Sequence, residues 1–247
     1  MADERVNRFD DWYEQMADDE ARHQLVAECL GLPSSMRVTG LLSAVGLAEV
    51  IDRLDLSFGQ VLVDLACGRG GYGREVARVR GVELIGIDAS AVAIDQARED
   101  LRLDGANEVA HFEAASFDST GLPDEVADAV MCIDSYQFAS SLDALFCEMW
   151  RIIRPGGRLV LTGAMRRLML DDEHAATPVE ESLTRIGWSD VRVSARPDWL
   201  IAEERLWRAA LADSTSTPAM HALRAEGAEL LQAMPQIQRF IATGIRH

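Results

Sequence analysis

The sequence is poor in positive charge, in cysteine and in long apolar runs, and each shortage removes a class of function. Lys and Arg together number 24 against 41 Asp and Glu, a formal net charge of −17 over 247 residues. Neutralising phosphates takes clustered basic side chains, so DNA, RNA and anionic membranes are not expected as partners. The four cysteines, Cys29, Cys67, Cys132 and Cys147, show no CxxC spacing. Cys67 and Cys132 lie in or beside apolar runs, where a free thiol behaves as a small hydrophobe. That pattern predicts a reducing cytoplasm and no metal site. No stretch approaches the roughly 18 apolar residues that span a bilayer, and the opening MADERVNRFDDWYEQM is acidic where a secretory leader is basic. A soluble cytoplasmic protein is expected. Its excess acid either maintains solubility or attracts a cationic substrate.

What is present is enough apolar content, 48%, for one sizeable core. Residues 1–30 read as a single amphipathic helix with Phe9, Trp12, Tyr13 and Met16 on one face, and Leu41–Leu54 as a second helix. From residue 60 short apolar runs alternate with helix-length amphipathic segments, the signature of a parallel sheet built from βαβ units. The runs are VLVDLA (61–66), VELIGID (82–88), VAHFEA (109–114), ADAVMCID (127–134) and RLVLTG (158–163), with helices at 72–80, 90–104 and 141–153. Arg154-Pro155-Gly156-Gly157 ends the last helix and reverses the chain into the next strand. Beyond residue 163 the pattern predicts a loop at Asp171–Ala176, a helix at Val179–Ile186 and a strand at Val191–Ser194. Helices at Ala202–Ala212 and Met220–Leu231 and a closing strand at Arg239–Ile245 follow.

The informative stretch is Val61-Leu-Val-Asp-Leu-Ala-Cys-Gly-Arg-Gly-Gly-Tyr-Gly73. A strand running into glycines and then a helix lets backbone approach a ligand closely and aims free N–H groups at it. Asp64 would repel a pyrophosphate but suits an α-amino group. Asp88, twenty residues after Gly68, ends the second strand, where a carboxylate can accept both hydroxyls of a ribose. Gly68, Gly70 and Gly73 alone are weak evidence. With Asp64 and Asp88 they describe a nucleoside ligand with a cationic amino-acid tail.

These residues resemble the motifs of class I S-adenosylmethionine-dependent methyltransferases: VDLACGRGGYG their first motif, GIDAS their acidic second, RIIRPGGRLVLTG the segment entering their fifth strand. The resemblance covers residues 40 to about 200. It is nearest to small-molecule enzymes of the ubiquinone/menaquinone type and bacterial natural-product tailoring enzymes, with counterparts to GLPDE…ADAVMCIDSYQF. It implies an α/β, Rossmann-like, doubly wound fold: a mostly parallel seven-stranded sheet with helices on both faces and an N-terminal helical lid. Residues 1–55 would form the lid and 56–247 the catalytic domain. The cofactor implied is S-adenosyl-L-methionine, leaving as S-adenosyl-L-homocysteine. The partner implied is a small-molecule acceptor, and a homodimer is left open.

By the same resemblance Asp64 and the backbone of Ala66, Cys67, Gly68 and Gly70 hold the methionine part, Asp88 binds the ribose and Ala89 flanks the adenine. Ser116 stands where the family has an acidic residue for the adenine amino group, a loss of about 1 kcal/mol if the hydroxyl still accepts, and Phe117 would cover the ring. Ala66 replaces the family's first glycine, tolerable if φ stays negative. After the fourth strand come Asp134, a donor contact, structural group or general base, and Gln137, near the acceptor. His174 is a candidate base, His111 a core residue, and Tyr13 a lid contact or packing. Arg166 and Arg167 are candidates for a substrate carboxylate, while Trp188, Trp199 and Trp207 are core anchors with Trp199 or Trp207 available to an acceptor pocket.

Methyl transfer is an in-line displacement in which positioning alone supplies up to roughly 7–11 kcal/mol, so a base is optional. A nicotinamide oxidoreductase would want GxGxxG without Asp64 ahead of it. A protein of this fold that binds the donor without transferring the methyl, or a protein-modifying methyltransferase, remains as a rival.

Overall fold

The computed structural model of the chain describes residues 2–16, 19–103, 110–166 and 177–247. The N-terminal segment holds two helices, α1 (Ala2–Met16) and α2 (Glu20–Leu30), where the sequence predicted one. Asp19 breaks the run: it adopts an extended conformation and its carboxylate accepts from the Arg22 N–H at 2.8 Å, which starts a new helix. The next helix, α3 (Ala44–Leu54), starts later than predicted because Ser43 caps it through Gly46 N–H. That leaves Leu41 N–H free to reach a side chain elsewhere.

The sheet follows: β1 (Val61–Leu65), α4 (Gly71–Arg80), β2 (Glu83–Asp88), α5 (Ala91–Leu103), β3 (Ala110–Ala114), β4 (Ala127–Cys132), α6 (Leu142–Ile152) and β5 (Ile153–Arg166). Then come α7 (Pro178–Ile186), β6 (Ser189–Ala195), α8 (Trp199–Ala212), α9 (Pro218–Ala233) and β7 (Ile237–Ile245). The seven strands lie in the order β3-β2-β1-β4-β5-β7-β6. The pairs from β3 to β5 are parallel, and β7 runs antiparallel between β5 and β6. Strand order reverses between β1 and β4, so a crevice opens at the carboxyl ends of these two strands. This is the Rossmann-like, doubly wound arrangement expected.

Side-chain alternation along the strands builds an apolar layer on each face. Leu62 and Leu84 join Val50, Trp199 and Trp207 on one face. Val63, Leu65 and Ile87 join Phe146, Met149, Trp188 and Phe240 on the other. The three tryptophans predicted as core anchors are each under 5% exposed.

Two expectations are corrected. His111 is no core residue: β3 is an edge strand with only Phe112 turned inward, and the His111 side chain is 77% exposed, 3.8 Å from Glu113. The Pro155-Gly156-Gly157 segment does not precede β5 but bulges out of it. Pairing with β4 jumps from Ala127↔Ile153 to Ala129↔Arg158, and Gly156 takes a φ of +84°. The predicted loop at 171–176 lies outside the described residues.

The segment after α2 packs on the start of α4 so closely that a Cβ on Gly71 would stand 2.2 Å from the Arg37 carbonyl oxygen. Gly71→Ala is therefore expected to cost about 1–3 kcal/mol, lowering Tm by about 2–4 °C per kcal/mol. A calorimetric Tm equal to that of the parent would contradict this packing.

Candidate functional site

β1 ends in a turn that a Cβ makes costly. Ala66 and Gly68 take left-handed φ values of +56° and +55°, and Gly70 at +74° caps α4. The condition for alanine at position 66 is thus not met: φ is positive, and the residue carries a strain of roughly 1–2 kcal/mol. Cys67 N–H donates to the Ile87 carbonyl at 3.0 Å, tying the turn to β2. Burial pushes the Cys67 thiol well up, helped by Asp64 and Asp88, so it is inert.

The two acidic residues of the motifs come together here. Asp64, 2% exposed on β1, accepts from the Gly73 N–H of α4. Asp88, 9% exposed at the end of β2, accepts from Gly68 N–H at 2.8 Å and Ser90 N–H at 2.9 Å, and from Ala89 N–H. Burial raises both carboxyls above the usual carboxylate range, Asp64 farthest because Asp88 adds to the effect. Among the described residues no basic side chain forms an ion pair with either. Such a crevice is prepared for a cation with hydroxyl or ammonium donors.

α1 closes over it. The Asp10 carboxylate accepts from Ser90 Oγ at 2.5 Å and lies 3.5 Å from Val92 N at the start of α5. Phe9 meets Phe138 edge-on at 5.2 Å across the crevice. Between these contacts Tyr13 and Thr39 crowd Gly68: a Cβ there would stand 2.7 Å from the Tyr13 hydroxyl and 3.0 Å from Thr39 Oγ1.

On the far side Asp134 follows β4 with a left-handed φ of +56°. Its Oδ2 accepts from Leu41 N–H at 3.1 Å, and its Oδ1 from Thr162 Oγ1 at 2.8 Å and from Arg239 at 2.5 Å. Arg239, 3% exposed, also pairs with Glu203 at 2.7 Å and lies 5.9 Å over the Trp199 ring. Three donors on one carboxylate suit an anchor better than a free base. Burial pushes Glu203 up to about 7, with Arg239 opposing and Asp134 assisting.

The remaining sequence candidates fall in different places. Ser116 Oγ donates to Asp118 at 2.6 Å, so an acidic group stands two residues beyond the family position. Phe117 is buried, in the apolar cluster that also holds Leu65 and Ile87. Gln137 is exposed and donates to the Asp134 carbonyl at 3.0 Å. Arg166 is an exposed residue at the end of β5. His174 and Arg167 lie outside the described residues. Sequence reasoning missed Thr39, Glu203 and Arg239. Arg239 had a signal, a lone cation in the apolar run Ile237–Ile245, whereas Glu203 is one of two adjacent glutamates in α8 and had none.

The geometry is that of a doubly wound α/β sheet with two buried acids at the carboxyl ends of β1 and β2. Residues 63–161 match the family described as methyltransferase domain. The methyltransferase GfsG of Streptomyces halstedii is 33% identical over 135 residues, 54% of this chain and 47% of that protein. The methyltransferase phqN of Penicillium fellutanum is 28% identical over 49% of this chain and 37% of its own length. The chain thus matches less than half the length of these curated relatives. Phosphoethanolamine N-methyltransferase 2 of Haemonchus contortus, solved with S-adenosyl-L-methionine, aligns with a TM-score of 0.76 at 18% identity, over 96% of this chain and 60% of that one. The [4+2]-cyclase SpnF aligns with a TM-score of 0.74 at 20% identity, over 96% and 94%. At these identities the two structures establish the fold. The segment that matches the methyltransferase-domain family, residues 63–161, holds the glycine turn and both acidic residues of the crevice, Asp64 and Asp88.

The Asp134–Arg239–Glu203 cluster generates a pH test. A carboxyl raised in the folded state stabilises fully below its ordinary value of 4.5, and that stability drains as pH rises through about 7. Tm is therefore expected to fall between pH 5 and 8, and Glu203→Gln to flatten that limb. An unchanged slope in the variant, by scanning calorimetry at four pH values, would show that Glu203 is ionised throughout.

Proposed function

We propose that the protein transfers a methyl group from S-adenosyl-L-methionine to a small molecule, releasing S-adenosyl-L-homocysteine. The observation that carries this reading is the pair of buried carboxylates, Asp64 and Asp88, which no cation among the described residues answers. Both fit the donor set of a sulfonium nucleoside with an amino-acid tail. Asp64 would hold the α-ammonium, Asp88 the ribose hydroxyls, Ala66–Gly70 the methionine backbone and Ala89 the adenine edge. The Ser116–Asp118 pair would accept from the adenine amino group, its carboxylate replacing the charge that serine lacks. Bound there, the donor supplies an electrophilic methyl carbon.

The chain's own residues then bind, orient and exclude water. Residues 1–55 act as the lid and 56–247 as the catalytic domain, with Asp10 fixing α1 and Tyr13 facing the glycine loop. Asp134 holds the Leu41 segment and Arg239, so its contribution is positioning, and Gln137 stands on the acceptor side. Curated relatives include sterol and phosphoethanolamine methyltransferases by name, in keeping with a small acceptor. Cytoplasmic location belongs to the same proposal: among the described residues no helix is long and apolar enough to cross a membrane.

The direct test is incubation with labelled donor and a panel of phenols, amines and polyketide intermediates. Labelled product with stoichiometric S-adenosyl-L-homocysteine is expected; conversion of an acceptor without S-adenosyl-L-homocysteine would favour a non-methylating reaction. Asp88→Ala should weaken donor binding about 10- to 1,000-fold by calorimetry, since charge-assisted bonds are lost; unchanged affinity rejects its role. Because burial holds Asp64 protonated above the usual range, cation binding should expel a proton. Donor affinity then rises with pH, and binding heats differ between buffers of different ionisation enthalpy. Equal heats would place the ammonium elsewhere.

A further inference from the structure

Ser90, wholly buried between β2 and α5, joins two carboxylates. Its N–H donates to Asp88 Oδ1 at 2.9 Å. Its hydroxyl donates to Asp10 Oδ1 of α1 at 2.5 Å and accepts from Ala93 N–H at 3.1 Å. Asp10 is half-buried, and its Oδ1 lies 3.5 Å from Val92 N. It therefore rests on the amino end of α5 beside Asp88, and among the described residues it makes no ion pair.

The amino end of a helix offers roughly half a positive charge. Here it faces two carboxylates, so the contact keeps a surplus of negative charge. That surplus reaches the crevice: burial raises the Asp88 carboxyl, and Asp10 adds to it against the Ser90, Gly68 and Ala89 N–H groups. Docking α1 thus brings a third acid towards two that no cation among the described residues pairs. The other contacts of α1 across the crevice, Phe9 on Phe138 and Tyr13 over Gly68, are indifferent to the charge of what lies beneath. Asp10 is not, because the repulsion it meets is offset by a cation in the crevice and left standing by a neutral molecule.

We propose that Asp10 sets the selectivity between donor and product: its carboxylate, held at the crevice by Ser90, favours the cationic sulfonium over the neutral thioether. This rests on the function proposed above. Loss of the methyl group turns S-adenosyl-L-methionine into S-adenosyl-L-homocysteine and removes one positive charge. The groups that Asp64 and Asp88 would bind, the ammonium and the ribose, are the same in both molecules. A carboxylate that binds neither group is left to read the difference, and it does so through space, so salt weakens its effect.

The test compares the full-length protein with Asp10→Asn, which keeps an oxygen for Ser90 but no charge, and with Asp10→Glu, which keeps the charge. Asp10→Ser repeats the charge removal should Asp10→Asn not fold. Calorimetry gives the affinities for S-adenosyl-L-methionine, S-adenosyl-L-homocysteine and sinefungin, whose protonated amine keeps the positive charge without the sulfur. Asp10→Asn is expected to shift the ratio of donor to product affinity about three- to tenfold toward the product, and the ratio of sinefungin to product in the same direction. Asp10→Glu retains most of the parent's ratio. Raising salt from about 0.05 to 0.5 M narrows the parent's ratio more than that of Asp10→Asn. An equal loss of affinity for all three ligands in Asp10→Asn reduces Asp10 to a fastening for α1 and overturns the proposal. Ratios unchanged by the substitution overturn it as well, while the donor reading stands. If the parent binds none of the three ligands, the donor reading fails and takes this proposal with it.

Discussion

Two carboxylates removed from water, with no cation among the described residues paired to them, are the constraint around which the crevice is built. The effective penalty for burying an ion is several kcal/mol, and the fold meets it with backbone N–H groups from Gly68, Gly73, Ala89 and Ser90. Those donors exist because β1 and β2 pair in parallel and end together, with Asp64 opposite Gly86 and Leu65 opposite Ile87. The turn after β1 then has to bend back over Asp88. This explains why Ala66, Gly68 and Gly70 all take left-handed conformations.

The other wall answers its charges internally. Asp134, Arg239 and Glu203 come from three distant stretches and neutralise one another except for the acid that burial leaves near neutral pH. Their bonds hold Asp134 in a backbone conformation that costs of order 1–3 kcal/mol for a residue other than glycine. Asp134 in turn grips Leu41, and Asp10 grips Ser90, so the N-terminal segment is fastened on both sides of the crevice. Strain and buried charge thus concentrate where the N-terminal segment meets the sheet. The apolar layers elsewhere follow ordinary alternation.

Local patterns were legible in the sequence because they depend on period and turn chemistry. The five apolar runs from Val61 to Gly163 became β1 to β5, and Asp64 and Asp88 could be paired because a strand, a glycine turn and a strand fix their relation. Boundaries failed where a single side chain decided them, as Asp19 did between α1 and α2 and Ser43 did before α3. His111 was misread because an apolar run does not say whether its strand is central or at the edge. Glu203 and Thr39 could not be read at all, since their meaning comes from partners remote in the chain. Ser116 was read as a loss of charge, and the bond from its hydroxyl to Asp118, which brings a carboxylate to that position, is not contained in the family register.

The account stands on a cationic nucleoside lying between the glycine turn and the end of β2. A crystal of the protein soaked with S-adenosyl-L-methionine tests that most directly. The account predicts density with the ribose diol at Asp88 and the ammonium directed to Asp64, and Tyr13 displaced from Gly68 to admit it. An empty crevice at saturating donor, or a donor bound away from both carboxylates, would contradict it.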